Sequence, residues 1–247
     1  MKIGIIGMPQ SGKSTLFRLL TNSPSGLNGK AAIAVGKVPD PRIDRLSEIF
    51  QPRKTTYAAI DFVDVPGLTA GPGSNASEFF EKVRDVDALV LVVRAFAGGT
   101  QPAEEFNQIQ QELLIADWSI LERRLERVAK QRMKNPSGAA ELAVLEKCKA
   151  VLEEDLPLRQ LPLSAEEEQL IRDFNFLTKK PLIVVVNVDE DQMRRGSYPQ
   201  QKELEDLLAQ KGIMFLVVCG QLEMEISQLD AEDAALFLEE LGLTETG

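Results

Sequence analysis

The sequence predicts an α/β fold: a mostly parallel sheet with helices on both faces, carrying an inserted α-helical hairpin. Three observations predict it. Short apolar runs at residues 3–6, 88–93, 181–186 and 213–218 alternate with segments of helical pattern, the rhythm of βαβ units. The first run feeds Gly7-Met-Pro-Gln-Ser-Gly12-Lys13-Ser14, which fits GxxxxGK[ST], and an apolar segment at 16–20 follows. Strand, glycine-rich loop and helix, in that order, make a phosphate-binding loop. From about residue 103 to 133 the pattern changes. Leu114, Trp118, Leu121, Leu125 and Val128 recur at 4-3-4-3 spacing, the seam of a coiled coil.

The loop's spacing follows from its chemistry. A triphosphate needs many donors close together with no side chain in the way. Gly7 and Gly12 permit backbone angles that a Cβ would forbid. The segment Pro9, Gln10, Ser11, Gly12, Lys13, Ser14 and Thr15 can then turn its amides into one concavity, helped by the dipole of the following helix. Lys13 is expected to reach the β- and γ-phosphates, and the Ser14 hydroxyl to ligate Mg²⁺.

Composition bounds the rest. The 247 residues fit one large domain or one domain carrying an insertion, and 44% hydrophobic with 27% charged residues is the balance of an ordinary globule. No run approaches 18 apolar residues, so no membrane span is expected. The amino terminus lacks signal-peptide anatomy, because its apolar run is short and feeds the sheet. Cys148 and Cys219 lie far apart and form no metal pattern; they read as reduced thiols of a cytoplasmic protein. The absence of histidine excludes a histidine base or ligand. A net charge of −10 argues against whole-surface nucleic-acid binding but leaves room for a local basic patch.

In chain order, residues 21–37 read as a glycine- and serine-rich loop leading into a short strand at 32–38. Asp40 caps a helix with Pro41 at its first position and Ile43, Leu46, Ile49 and Phe50 on its apolar face, ended by Pro52. Residues 55–65 form a strand that delivers Asp64 and Gly67 of a DxxG to its carboxyl edge, where nucleotide sites lie in α/β sheets. There Asp64 would hold Mg²⁺ through water and the Gly67 amide would sense the γ-phosphate. A flexible link with Gly71 and Gly73, a helix at 77–84, a strand at 88–93 and a loop at 97–102 follow. The long helix at 103–133 could reach roughly 40 Å. It breaks at Asn135-Pro136-Ser137-Gly138, and a second helix at 139–154 folds back on it. A third, at 164–174, opens with a Ser164/Glu167 capping box. The strand at 181–186 ends in Asn187-Val-Asp-Glu190. A helix at 201–210, a strand at 213–218 ending in Cys219-Gly220-Gln221, and a helix at 230–241 complete the chain. The division expected is 1–100 and 177–247 for the nucleotide-binding domain and 101–176 for the inserted hairpin.

GMPQSGKST, VPDPRIDRLSEIF, DFVDVPGL, ELLIADWSILERRLER, NVDED and ISQLDAEDAALFLEELGL occur in this order. With them the chain resembles, over almost its whole length, the YchF/Obg-like ATPases, a branch of the translation-factor-related P-loop proteins. The resemblance implies a Ras-like nucleotide domain interrupted by a helical hairpin, with ATP preferred over GTP and Mg²⁺ as cofactor. It also implies a C-terminal TGS domain, and this sequence ends where that domain is expected to begin. Three features depart from the family pattern. Pro9-Gln10-Ser11 replaces Pro-Asn-Val, losing an asparagine linked with monovalent-cation assistance in related enzymes. No Thr or Ser lies between Gly26 and Val38 to serve as the first-switch Mg²⁺ ligand, and the glycine-rich second switch is short.

The base site is read from residues 187–190. Guanine is bound by Asn-Lys-x-Asp, whose aspartate accepts from the ring N–H and exocyclic amine. Here Val188 replaces the lysine and Glu190 the aspartate. Adenine offers an acceptor at N1 and would repel a carboxylate, so Glu190, though counted among the nucleotide-site residues, is expected to turn away. Asn187 and the Val188 backbone are expected at the base, with Gly220 and Gln221 nearby. Lys13 and Gly67 carry the catalytic expectation. Leu68 stands where Ras-like enzymes keep a water-orienting glutamine, so turnover is expected to be slow. The reading is an ATP-binding switch protein acting near the ribosome. The alternatives are a nucleotide-binding module with little hydrolysis and a GTPase. Arg123, Arg124, Arg127, Lys130, Arg132 and Lys134 form a basic hairpin tip that could touch rRNA phosphates.

Overall fold

The computed structural model describes residues 1–23, 32–68, 76–131, 137–230 and 233–234. The elements are β1 (Lys2–Ile6), α1 (Lys13–Thr21), β2 (Ala32–Lys37), α2 (Pro41–Phe50), β3 (Ala59–Asp64), α3 (Ala76–Val83), β4 (Ala88–Arg94), α4 (Pro102–Gln131), α5 (Ser137–Glu153), α6 (Ala165–Ile171), β5 (Leu182–Asn187), α7 (Glu190–Arg195), α8 (Gln201–Gln210), β6 (Met214–Val218) and α9 (Gly220–Ile226). The expected switch loop at 24–31 and glycine-rich link at 71–75 lie outside the described residues, as does most of the expected helix at 230–241.

Six strands form one sheet in the order β2-β3-β1-β4-β5-β6, all pairs parallel except β2 with β3. Parallel strands need both faces covered. On one face Phe17 of α1 packs on Ile3, Ile5, Val92, Val185 and Val218. On the other, Phe79, Phe80 and Val83 of α3, Phe106 and Ile109 of α4, and Leu204 and Leu208 of α8 cover Val63, Leu89, Leu91, Val93, Val184 and Val186. Chain order reverses around β1, so the loops after β1, β3, β4, β5 and β6 converge on one crevice at the carboxyl edge.

α4 is a continuous helix of 30 residues, and it enters two cores. Ala103, Phe106, Ile109 and Leu113 belong to the sheet. Leu121 and Val128 belong to a second cluster with Leu142, Leu145, Cys148 and Leu152 of α5, Leu158, Ile171 and Phe176. Leu114, Trp118 and Leu125 line that same cluster, half-buried. The packing therefore does not change at residue 101, where the sequence places the start of its inserted unit. It changes near Asp117, because the helix that leaves the sheet first helps to cover it. Asp117 is fully buried at this junction. Its carboxylate accepts from the backbone N–H of Leu177 (2.9 Å) and Thr178 (2.7 Å), and Arg84 stands at 3.4 Å. Cys148 is buried in the second core, which pushes its thiol up to about 11.

Two features differ from the sequence expectation. α2 starts as predicted, with the Asp40 side chain accepting from the Arg42 N–H, yet Leu46, Ile49 and Phe50 stay 52%, 57% and 73% exposed. Periodicity says which side of a helix is apolar; it does not supply a surface to cover it. α7 and α9 are short helices at segments to which the sequence reading assigned no element. α7 carries an Asp189/Gln192 capping box that the sequence displays.

Candidate nucleotide site

The crevice is a cleft of about 590 Å³ lined by Gln10, Gly12, Lys13, Ser14, Thr15, Phe96, Asn187, Val188, Asp189, Gly220, Gln221, Met224 and Glu225. Its phosphate end is the loop between β1 and α1. Gly12 takes φ +98°, and a Cβ there would stand 2.0 Å from the Asn187 amide nitrogen, so the position admits only glycine. Gly67 presses its Cα on the loop from the other side, where a Cβ would meet Pro9 backbone at 2.6 Å. The DxxG segment and the phosphate loop are thus packed backbone to backbone. The Leu68 N–H adds a bond to the Gly7 carbonyl at 3.0 Å.

Lys13 is 5% exposed, and its ammonium donates to the Met8 carbonyl at 2.6 Å. Burial pushes its pKa down, and the charges of Asp64 and Glu105 oppose that shift. Ser14 Oγ donates to Asp64 Oδ2 at 2.9 Å. Asp64 is itself buried, which pushes its carboxyl up against the pull of Ser14 and Lys13. Its second oxygen, Oδ1, is buried with no partner among the described residues. A buried carboxylate oxygen left without a donor, beside a serine hydroxyl, is hard oxygen chemistry in search of a cation. This pair fits Mg²⁺, which takes one or two protein oxygens and fills its octahedron with phosphate and water.

The other end of the cleft is apolar on Phe96, Val188 and Met224, with Asp189, Gln221 and Glu225 at its rim. The N–H groups of Ala95 and Phe96 both donate to the Asn187 carbonyl, at 2.8 and 3.2 Å, and Gln192 Nε2 donates to the Ala95 carbonyl at 2.9 Å. α7 and β5 thereby fix the backbone that presents Phe96.

Most residues expected at the nucleotide come together, and some do so differently. Asn187 lines the cleft, but its amide brackets the protein: Nδ2 donates to the Ser11 carbonyl and Oδ1 accepts from the Gly220 N–H, both at 3.0 Å. It ties the phosphate loop to α9. The Val188 N–H donates to the Val218 carbonyl at 2.9 Å, so it is already engaged within the protein. Glu190 lies outside the cleft and pairs with Arg194 at 2.6 Å, one turn along α7. Pro9 stands against Gly67, and Ser11 is fully buried beneath the loop. Leu68 is fully buried in the sheet's core, so its side chain faces away from the phosphates. Sequence reasoning missed Phe96, Asp189, Met224 and Glu225. Phe96 follows the carboxyl end of β4 and could have been found by applying the strand-edge rule to every strand; Met224 and Glu225 needed α9 to be seen as a helix.

Comparison with known proteins agrees with this geometry. A family described as "50S ribosome-binding GTPase" matches residues 2–132. The ribosome-binding ATPase YchF of Escherichia coli O157:H7 is 38% identical over 266 aligned positions, covering 100% of this chain and 72% of that protein. Its counterpart of Bacillus subtilis is 32% identical, with 99% and 72% covered. The structure of the Schizosaccharomyces pombe YchF GTPase superposes with a TM-score of 0.86 at 28% identity, covering 99% of this chain and 72% of that one. At this identity and coverage, with a Ras-like sheet and a phosphate loop in place, the chain belongs to the YchF family of P-loop nucleotide-binding proteins.

Proposed function

We propose that this protein binds ATP with Mg²⁺, hydrolyses it slowly, and works as a cytoplasmic switch in association with the ribosome. The observation that carries the reading is the unpartnered, buried Asp64 Oδ1 beside Ser14 and Lys13. Lys13 would leave the Met8 carbonyl for the β- and γ-phosphates, and Ser14 with Asp64 would hold the metal. Bound there, Mg²⁺ supplies charge neutralisation at the transferring phosphoryl group. Hydrolysis is attack of water in line with the bond that breaks, driven by positioning and charge. Leu68 offers no group to orient that water, which supports low turnover. For the base, the Val188 carbonyl can accept from the exocyclic amine of adenine, and Phe96 and Met224 can cover its faces.

The family's named members differ on the base: the bacterial proteins are called ATPases and the fission-yeast structure a GTPase. Calorimetry with ATP and GTP in Mg²⁺, with phosphate release followed in the same samples, decides the matter. ATP bound about tenfold or more tighter than GTP, with slow release, is expected, because a mismatched base leaves buried polar groups unpaired. A GTP preference would overturn the reading of residues 187–190, and ATP binding without release would leave a binding module.

The ribosome contact is proposed for the α4–α5 end. Arg123 and Arg127 are exposed there. Arg124 is less available than expected: it pairs with Glu141 at 2.5 Å and stacks over Phe174 at 5.4 Å. Arg132, Lys134 and the side chain of Lys130 lie outside the described residues. Replacing Arg123 and Arg127 with Glu should lower co-sedimentation with ribosomes and flatten its salt dependence; unchanged co-sedimentation would refute the contact.

A further inference from the structure

Gln192 of α7 does not line the cleft, yet it is buried and bonds two residues next to or on its walls. Half of its bonding is the capping box. Its backbone N–H donates to Asp189 Oδ1 at 2.8 Å, and its Oε1 accepts from the Asp189 N–H at 3.0 Å. Any glutamine or glutamate at this place in a helix can do that. The remaining group, Nε2, reaches another strand: it donates to the Ala95 carbonyl at 2.9 Å, 97 residues away in sequence, just past the end of β4. A glutamate would cap α7 as well, but it would set a carboxylate oxygen against that carbonyl. The cap therefore does not explain why the residue is glutamine; the bond to Ala95 does.

Ala95 is where the chain is held before it enters the cleft. It is fully buried, and its carbonyl also accepts from Thr100 Oγ1 at 3.0 Å. Phe96 comes next and lines the apolar end of the cleft. Ala97 after it takes φ +66°, a left-handed conformation that strains a residue with a Cβ and persists only where the surroundings impose it. Asp189, which Gln192 bonds on its other side, lines the cleft too. One buried side chain thus joins the β4 turn that carries Phe96 to the β5 end that carries Val188 and Asp189. We propose that Gln192 is a positioning residue for the base end of the nucleotide site: it sets the spacing between the Phe96 wall and the Val188–Asp189 wall, and so the fit of a planar base, without acting on the phosphates. This rests on the reading that a nucleotide base occupies the apolar end of the cleft.

Gln192→Glu isolates the one bond, because it keeps the capping box and removes the donor to Ala95. Calorimetry on the full chain in Mg²⁺, with ATP and with inorganic tripolyphosphate, separates the two ends of the cleft, since tripolyphosphate has no base. The variant should bind ATP about tenfold more weakly, the scale for a buried acceptor left unpaired, and tripolyphosphate within about twofold of the parent. Without any ligand, hydrogen exchange at the Ala95 and Phe96 amides should be about tenfold faster in the variant. Should Gln192→Glu fail to fold, Gln192→Met, which keeps the length without a charge, carries the same measurements. Unchanged ATP affinity would overturn the proposal. Equal weakening of ATP and tripolyphosphate would overturn it too, by marking a loss spread over the whole site. A parent that binds GTP and not ATP overturns the adenine reading alone, and the comparison is then made with GTP. A parent that binds neither overturns the nucleotide reading, and amide exchange at Ala95 and Phe96 then decides whether Gln192 holds the turn.

Discussion

Lys13→Ala should slow ATP turnover about 100-fold or more, with a smaller loss of affinity, because removing one preorganised group from a developing charge costs roughly 3 kcal/mol. The size follows from where the ammonium stands. It is 5% exposed and held by the Met8 carbonyl, so it acts in a place where water does not screen it. Its removal also takes from the buried Asp64 the cation whose charge acts on it. Among the described residues lining the cleft, Lys13 is the one cation. Steady-state phosphate release, with ATP affinity measured by calorimetry on the same protein, checks this. Turnover within threefold of the parent would mean that catalysis does not run through Lys13.

Asp117→Ala is expected to cost about 3–5 kcal/mol of stability, the range for removing one partner of a buried charged network. The carboxylate satisfies the backbone N–H groups of Leu177 and Thr178 and faces Arg84. Arg84 in turn donates to the Ala116 and Asn175 carbonyls, so one node joins α3, α4 and the segment returning to β5. Alanine would leave buried donors unpaired where the two cores meet. Urea unfolding should show the loss as an earlier midpoint, and a changed slope would show the two cores melting apart. Burial raises the Asp117 pKa, so the folded chain keeps its proton to higher pH than the unfolded chain does. Ionisation of this group therefore erodes stability as pH rises through and above the carboxylate range. Asp117→Asn should remove that slope while keeping one acceptor.

Local patterns were legible wherever the physics was local. GxxxxGK[ST] needs glycine at 7 and 12 for backbone reasons that hold in any chain, and the loop stands where that predicts. Asp40-Pro41 and Ser164/Glu167 start their helices as written, because a cap is a contact between residues two or three apart. The seam from Leu114 to Val128 faces α5 because it is a periodicity of one helix. What could not be read was which distant group each side chain would meet. Asn187 has the composition of a base reader, yet its amide bonds Ser11 across 176 residues of sequence. The apolar face of α2 is as regular as that of any buried helix, yet no described element covers it.

The sequence by itself determined the sheet, the phosphate loop, the DxxG and the family. Each rests on short-range spacing, and short-range spacing constrains backbone geometry directly. Only the tertiary structure decided that Phe96 and Met224 line the apolar end of the cleft, that Glu190 turns to Arg194, and that α4 changes cores at Asp117. Those depend on which elements pack together, and burial, which sets both the cost of a charge and the partner that answers it, exists only once they have.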